Sequence, residues 1–281
     1  MNIYKIKSYA KINLSLNITG KKSNLHQIET VVAFVNLYDE IQIKIINSKK
    51  NNIHFVGEFS KDISKKNTIY RLLEILEKLK ILNNVKFEIK VNKKIPNKAG
   101  LGGGSMNAAS ILKFLIEKRF IFLDKKQIMT ISRKIGSDVP LGLNLANSIL
   151  TSNNDIKYYK KLKTFYTLIV KPDFGCSTKE IFSKVRKFHK PKIKNPNKKI
   201  FDLDYLKKLD NNLEEIALSK YSKLKFIKLY LEALNEPVFV RMTGSGSAIV
   251  AYFKSKKRCL SAKKKFNKKY KNYWCIASKT I

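Results

Sequence analysis

The sequence predicts an α+β fold, and three observations carry that reading. Several short segments alternate apolar and polar residues with the period of a strand. Others repeat apolar residues every three or four positions, as helices do. Between one such strand and one such helix lies a glycine run, Gly102-Gly103-Gly104. At 281 residues the chain can bury a substantial core, and its length fits one large or two ordinary domains.

In chain order, Ile12, Leu14, Leu16 and Ile18 face one way and Asn13, Ser15 and Asn17 the other. That pattern gives a half-buried strand, ended by Gly20 and the polar residues 21–24. Ile41, Ile43 and Ile45 repeat it. Ile69, Leu72, Leu73, Leu76 and Leu79 fall at helical spacing, with Glu74 and Lys78 placed as an i,i+4 pair. Val85, Phe87, Ile89 and Val91 alternate with Lys86, Glu88 and Lys90 in a strand closed by Pro96. The glycine run follows, and a helix starts near Ser105, carrying Ala109, Leu112 and Ile116 inward. A shorter helix over 126–135 leads to Gly136-Ser137-Asp138-Val139-Pro140. The polar tract 152–155 marks a boundary. Beyond it the pattern predicts a strand over 165–170 and a charged, proline-punctuated, mobile loop over 187–199. Helices over 203–218 and 223–234 come next, then paired strands 238–241 and 249–253 around a second glycine turn. A lysine-rich helix at 262–270 and a last strand complete the order.

Composition narrows the class. There are 58 Lys+Arg against 21 Asp+Glu, a formal net charge of +37. Such a charge invites a nucleic-acid or anionic-membrane partner. Yet only Arg71, Arg119, Arg133, Arg186, Arg241 and Arg258 are arginines, and arginine is the residue suited to bidentate phosphate and base-edge recognition. Diffuse lysine, accompanied by abundant asparagine and isoleucine, fits a genome-wide compositional bias, so no specific nucleic acid is expected. Cys176, Cys259 and Cys275 lack metal spacing and fit a reducing compartment. His26, His54 and His189 form no zinc pattern, and no protein metal ligand is expected. The start, Met1-Asn2-Ile3-Tyr4-Lys5, shows no signal-peptide core, and no apolar run reaches the ~20 residues of a membrane span. The expectation is a cytoplasmic protein with no membrane partner; nothing in the pattern sets an oligomeric state.

Three consecutive glycines allow close backbone approach to a ligand and positive φ. The helix after them aims unpaired N–H groups and a positive dipole end at the loop, and Ser105 is placed to cap it. Together these make an anion cradle, although a tight strand-to-helix turn would share the features. The loop is not a Walker A sequence, since no Gly-Lys-Ser/Thr follows. It also lacks the acidic residue ~20 positions on that a dinucleotide-binding fingerprint needs.

The stretch Pro96-Asn97-Lys98-Ala99-Gly100-Leu101-Gly102-Gly103-Gly104-Ser105-Met106-Asn107-Ala108-Ala109 resembles the phosphate-binding motif of the GHMP kinases. Its form most resembles that of the branch acting on 4-diphosphocytidyl-2-C-methyl-D-erythritol, an intermediate of non-mevalonate isoprenoid synthesis. Other segments are similar to motifs of that family, in its order and over almost the whole chain. Residues 9–16 resemble its N-terminal strand, His26 with Glu29 and Thr30 its substrate loop, and 136–140 its catalytic-aspartate motif. Ser177, Thr178, Ile181 and Phe182 resemble the segment after the domain crossover, and 243–247 the late glycine motif.

The resemblance implies an α+β, two-domain GHMP kinase fold, N-terminal ribosomal-protein-S5-domain-2-like and C-terminal ferredoxin-like. The domains would be 1–152 and 153–281, with the active site in the cleft between them and about 270–281 a candidate to return to the first. It implies ATP and Mg2+ as cofactors and a small-molecule substrate, cytidine diphosphate methylerythritol. Asp138 would be the base and Lys11 the cation that keeps it ionised. Pro96 to Met106 (Pro96, Asn97, Lys98, Ala99, Gly100, Leu101, Gly102, Gly103, Gly104, Ser105, Met106) and Asn67 would bind ATP, with Thr68 beside Asn67 at a helix N-cap. Asn13, His26, Thr178, Phe182 and Gly244 would bind the substrate. Residue chemistry alone leaves other roles open: a turn aspartate at 138, a solvated strand asparagine at 13, a loop-stabilising His26, and a tight hairpin at Gly244 and Gly246. The match departs from the family at several points. Leu25 stands where the family has an aromatic that stacks on cytosine, in a loop one residue shorter, and loss of that face would forfeit ~1–3 kcal/mol of base binding. Met106 stands for a serine, Ala99 for a glycine, and 141–145 differ from the usual pattern. A different GHMP kinase (for mevalonate, phosphomevalonate or homoserine) and a basic nucleic-acid-binding protein are the alternatives.

Overall fold

A computed structural model of the chain describes residues 2–23, 25–61, 63–64, 66–82, 85–234 and 236–281. Met1 and Asn24, which the sequence reading placed at the N-terminus and in the shortened substrate loop, lie outside the described residues. In chain order the strands and helices begin with β1 (Ile3–Lys22), β2 (Leu25–Ile46) and β3 (Asn52–Val56). Then come α1 (Thr68–Lys78), β4 (Lys86–Asn92), α2 (Gly103–Glu117), α3 (Lys125–Ile135) and α4 (Val139–Gly142). Strands β5 (Asn147–Leu150), β6 (Ile156–Tyr159) and β7 (Tyr166–Lys171) precede the helices α5 (Thr178–Ser183), α6 (Leu203–Leu206), α7 (Glu214–Lys220) and α8 (Ser222–Ala233). The order ends with β8 (Phe239–Met242), β9 (Ile249–Phe253), α9 (Lys256–Lys269) and β10 (Trp274–Lys279).

These elements form two compact units. The first comprises Met1–Ala10, Leu37–Asn97 and Gly102–Leu145; the second comprises Lys11–Asn36, Lys98–Leu101 and Ala146–Ile281. In the first unit, β4 pairs antiparallel with residues 40–46 of β2 and parallel with β3. The register puts Ile41, Ile43, Phe87, Ile89 and Val91 in the core. Helix α1 adds Ile69, Leu72, Leu73 and Leu76 to the same core, and α2 adds Ala108, Ala109, Ile111, Leu112 and Leu115. Helix α3 is opened by a capping box, in which Asp124 accepts the Gln127 N–H and the Gln127 side chain accepts the Asp124 N–H.

In the second unit, residues 30–32 of β2 pair antiparallel with β5, and β5 with β6. The turn between those two strands is 151–155, where Thr151 N–H reaches Asp155 O and Asn154 N–H reaches Thr151 O. A separate antiparallel sheet has the order β10-β7-β9-β8. Its core takes Leu168 and Val170 from β7, Ile249, Ala251 and Phe253 from β9, and Leu224, Ile227 and Leu231 from α8.

Four expectations need correction. Strand β1 is not half-buried. It continues to Lys22, and Asn13, Ser15 and Asn17 are about as buried as the apolar residues that alternate with them; Asn13 and Asn17 donate from their side chains to Thr30 and Glu29 of β2. The helix expected over 203–218 is two helices. Asn211 separates them by donating from its side chain to the carbonyls of Met242 and Gly244 and accepting the Leu213 N–H. The charged segment 187–199 is not loose: the buried Glu29 carboxylate accepts the N–H groups of Lys192 and Ile193. Ser105 does not cap α2; Gly102 occupies the N-cap position, and no side chain caps the helix.

Candidate active site

In the first unit the glycine loop enters α2 through Gly102, whose φ of 70° and ψ of 10° are left-handed. That conformation suits glycine, and Gly102 has no side chain with which to cap the helix. Met106 N–H closes the first helical bond, to Gly102 O at 2.9 Å. The N–H groups of Gly103, Gly104 and Ser105 therefore have no carbonyl one turn earlier to bind. Close packing restricts the loop further: a Cβ on Gly103 would stand 3.1 Å from Ile95 Cγ2 and 3.2 Å from Lys93 Nζ. The Thr68 hydroxyl donates to Gly104 O at 2.6 Å, joining the start of α1 to the start of α2. Asn67 caps α1 as expected, accepting the N–H groups of Ile69 and Tyr70.

A buried carboxylate fixes the approach to this loop. Asp39, on β2, accepts the Lys94 and Ile95 N–H groups at 2.8 and 2.9 Å and the Asn107 side-chain N–H at 3.0 Å, and it pairs with the Lys93 ammonium. Each end of the glycine loop is thus tied to one side chain. Charge-assisted bonds of this kind are the strong ones. Sequence reading missed Asp39 and Lys93; an acidic residue inside a strand, in a chain with so few acids, was the available signal. Pro96 is buried, and Asn97 donates its side-chain N–H to Phe59 O at 2.8 Å.

Asp138 lies at the N-terminus of the short helix α4, with Pro140 in its first turn. Preceding it, Gly136 brings its backbone near the start of α2, and Ser105 Oγ lies 3.8 Å from where a Gly136 Cβ would stand. Met106 is buried, and a Cβ on Gly142 would stand 2.9 Å from its sulfur. The thioether thus fills the space that Gly142 leaves on α4, which accounts for an apolar residue at this point of the loop.

In the second unit Lys11 is 3% exposed and its ammonium donates to Asn13 Oδ1 at 2.6 Å. Asn13 in turn donates from its side chain to Thr30 Oγ1 at 2.9 Å, and Thr30 donates to Ser15 O at 2.5 Å. Asn13 is therefore an oriented, buried polar group rather than a solvated strand residue. Its backbone N–H donates to Thr243 Oγ1. Lys11 N–H donates to Leu101 O at 3.0 Å. The late glycine turn packs on the same strand: a Cβ on Gly244 would stand 3.1 Å from Gly100 O and 3.4 Å from Asn13 Oδ1. Lys98 and Ala99 offer their carbonyls to Ser247 and Ala248 N–H at 3.2 and 3.1 Å, binding the front half of the loop to that turn. Lys11, Asn13, Gly100 and Gly244 are accordingly brought together. Thr178, at the start of α5, shares a 2.9 Å hydrogen bond with the Ser245 hydroxyl.

One turn further along α5 lies Phe182, its ring centroid 5.2 Å from that of His26 at a 47° tilt. Burial, aided by nearby Lys21, holds the His26 pKa below the usual imidazole value. A third ring, Phe188, lies 6.3 Å from His26; the sequence reading did not single it out.

The model of the GHMP kinases N terminal domain matches residues 67–150. The 4-diphosphocytidyl-2-C-methyl-D-erythritol kinase of Pelagibacter ubique is 57% identical over 281 residues, covering the whole of both chains. The chain belongs to the 4-diphosphocytidyl-2-C-methyl-D-erythritol kinase family. The enzyme of that name from Clostridium tetani is 34% identical over 99% of this chain and 100% of its own. A crystal structure of 4-(cytidine 5'-diphospho)-2C-methyl-D-erythritol kinase superposes with a TM-score of 0.76 at 22% identity, over 99% of this chain and all of the other. The α+β GHMP kinase fold expected from the sequence is thereby shown. Membership of this kinase family implies the use of ATP, and the glycine loop fits a polyphosphate: a left-handed glycine and three amides without helical acceptors offer backbone N–H groups to an anion. No helix among the described residues is long and apolar enough to cross a membrane.

Proposed function

We propose that this chain phosphorylates the 2-hydroxyl of 4-diphosphocytidyl-2-C-methyl-D-erythritol, using ATP, in the non-mevalonate route to isoprenoid precursors. The observation that carries the reading is full-length identity of 57% to a kinase of that name, in a chain whose glycine loop keeps the geometry of a phosphate cradle. The α2 amides and the Gly102 turn would hold the polyphosphate, with Pro96, Asn97, Lys98, Ala99, Gly100 and Leu101 forming the approach and Asn67 the nucleoside side. Mg2+, a finer part of the same reading, would neutralise phosphate charge. Among the described residues no group of three or more His, Cys, Asp or Glu could hold a metal; Mg2+ at such sites is commonly held by one or two carboxylates together with the phosphates.

Phosphoryl transfer asks the protein mainly for positioning and charge stabilisation. In this reading Asp138 accepts or orients the proton of the attacking hydroxyl. Lys11, aimed by its bond to Asn13, stabilises charge on the transferring group. Asn13, Thr178 and Gly244 contact the substrate's polar groups, and His26 with Phe182 contacts its base. A cytoplasmic location belongs to the same proposal. The test is an ADP-release assay with ATP and Mg2+, comparing the cytidyl substrate with mevalonate and homoserine. Turnover confined to mevalonate or homoserine would replace the assignment.

A further inference from the structure

We infer that Phe188 is a substrate-binding residue, the second aromatic wall for the pyrimidine base of the substrate; this rests on the kinase reading above. Leu25, beside His26 in sequence, contributes no ring and is 75% exposed. Phe188 approaches the same imidazole from elsewhere in the chain, with centroids 6.3 Å apart at 51°, while Phe182 lies 5.2 Å away. An inserted ring needs its two stacking partners about 7 Å apart, twice a van der Waals contact of ~3.5 Å. At 5.2 and 6.3 Å neither the His26–Phe182 nor the His26–Phe188 gap admits a ring, so the base would lie against the cluster of Phe182, His26 and Phe188 rather than between the imidazole and either phenylalanine. Phe188 is 46% exposed, so its ring is accessible to a ligand.

Its exposure is not that of a loose loop. His189 N–H donates to Ile18 O at 2.8 Å, and Lys190 O accepts the Asn17 side chain at 3.0 Å. Two residues on, the buried Glu29 carboxylate takes the N–H groups of Lys192 and Ile193. Strands β1 and β2 thus hold the backbone just after Phe188 at four points, and an aromatic held beside His26 is pre-organised for a planar ligand. A nucleobase is the planar group such a surface takes, because stacking on an aromatic face is favourable for every base.

The test compares Phe188→Ala, Phe188→Leu and Phe188→Trp with the unmodified chain, measuring kcat and KM for the cytidyl substrate and for ATP. Loss of the ring should raise KM for the cytidyl substrate roughly tenfold, the scale of one base–aromatic stack. KM for ATP and kcat should stay within about twofold, and Phe188→Trp should keep the original KM. Phe188→Leu keeps apolar bulk and guards against a folding defect in the alanine variant. An unchanged KM in Phe188→Leu would overturn the inference. Should the unmodified chain fail to turn over the cytidyl substrate, the kinase reading falls instead. Calorimetric titration of cytidine 5'-diphosphate into both proteins would then still decide the role of Phe188: equal affinities refute it, and weakened binding to the leucine variant supports it.

Discussion

Thr243 Oγ1 accepts the backbone N–H of Asn13 at 2.9 Å, so the late glycine turn is fastened to the strand that carries Lys11. The same hydroxyl donates to Gly100 O at 3.2 Å. Thr243→Val keeps the shape but leaves a buried donor and a buried acceptor unpaired, at ~1–3 kcal/mol each. Thermal unfolding should show a clearly lowered midpoint, with kcat reduced, while Thr243→Ser should restore both. A valine variant with unchanged midpoint and rate would remove the hydroxyl from this role.

Asp138→Asn should lower kcat by three orders of magnitude or so, given that general-base contributions run to ~10²–10⁴-fold. ATP affinity, measured by calorimetry, should change little, because the proposed phosphate contacts come from α2. Retention of full turnover would exclude the aspartate as base.

The loop glycines should separate into two kinds. At Gly100, φ is +74° and a Cβ would stand 2.0 Å from Thr243 O, a backbone atom that cannot swing aside. Gly100→Ala should cost ~3 kcal/mol or more, through clash added to left-handed strain, visible as poor folding. Gly104 meets only Thr68 Oγ1, at 3.2 Å, and lies inside α2. Gly104→Ala should fold as well as the original, since alanine favours a helix by roughly 0.5–1 kcal/mol, yet bind ATP more weakly because the methyl obstructs the cradle. Equal ATP affinity in that variant would argue against close phosphate approach at this position.

His26 should titrate below the ordinary 6.5, with burial the larger cause and Lys21 the second. The folded state then resists protonation that the unfolded chain accepts. Unfolding is favoured as pH falls through 6.5 and below, whereas above 6.5 both states are neutral and the residue contributes no pH dependence. NMR titration of the imidazole should show the lowered midpoint, and Lys21→Gln should move it upward. A midpoint at or above 6.5 in the original chain would contradict this.

Burial pushes the Cys176 and Cys259 thiols up to about 11 and Cys275 up to about 12. Thiolate is the reactive form, so iodoacetamide at pH 8 should leave the native protein unlabelled and modify all three sites on unfolding. Rapid labelling of the native chain would mean that these sites open readily.

Legibility in the sequence depended on whether a side chain's partner lay nearby. Strand β4 was plain, because Phe87, Ile89 and Val91 turn to one core while lysines face outward. Helix α1 was plain for the same reason, and Asn67 capped it as read. Strand β1 misled because Asn13, Ser15 and Asn17 look solvent-facing until Thr30 and Glu29 are known to lie against them. The break after α6 was present as Asp210-Asn211-Asn212, three helix-disfavouring residues in a row, but the helical spacing around them outweighed that signal. Strand β5, four residues all buried, has no alternation to detect. Motif order identified the glycine loop, Lys11 and Asp138 as candidates. Asp39 and Phe188 emerged only in three dimensions, as did the bond that Thr243 of the late glycine motif makes, since each partner lies more than fifty positions away.

The second unit is stitched from 11–36, 98–101 and everything after 145, and this shapes how the chain can be made. On a translating ribosome the strand bearing Lys11 and Asn13 emerges long before Thr243 exists to bind it. Strand β7, interior in the finished sheet, keeps one bare edge until β10 is synthesised. An open edge is a template for wrong pairing, and late, non-local closure is slow. A nascent chain therefore carries an open sheet edge, and the aggregation hazard that goes with it, until β10 is in place.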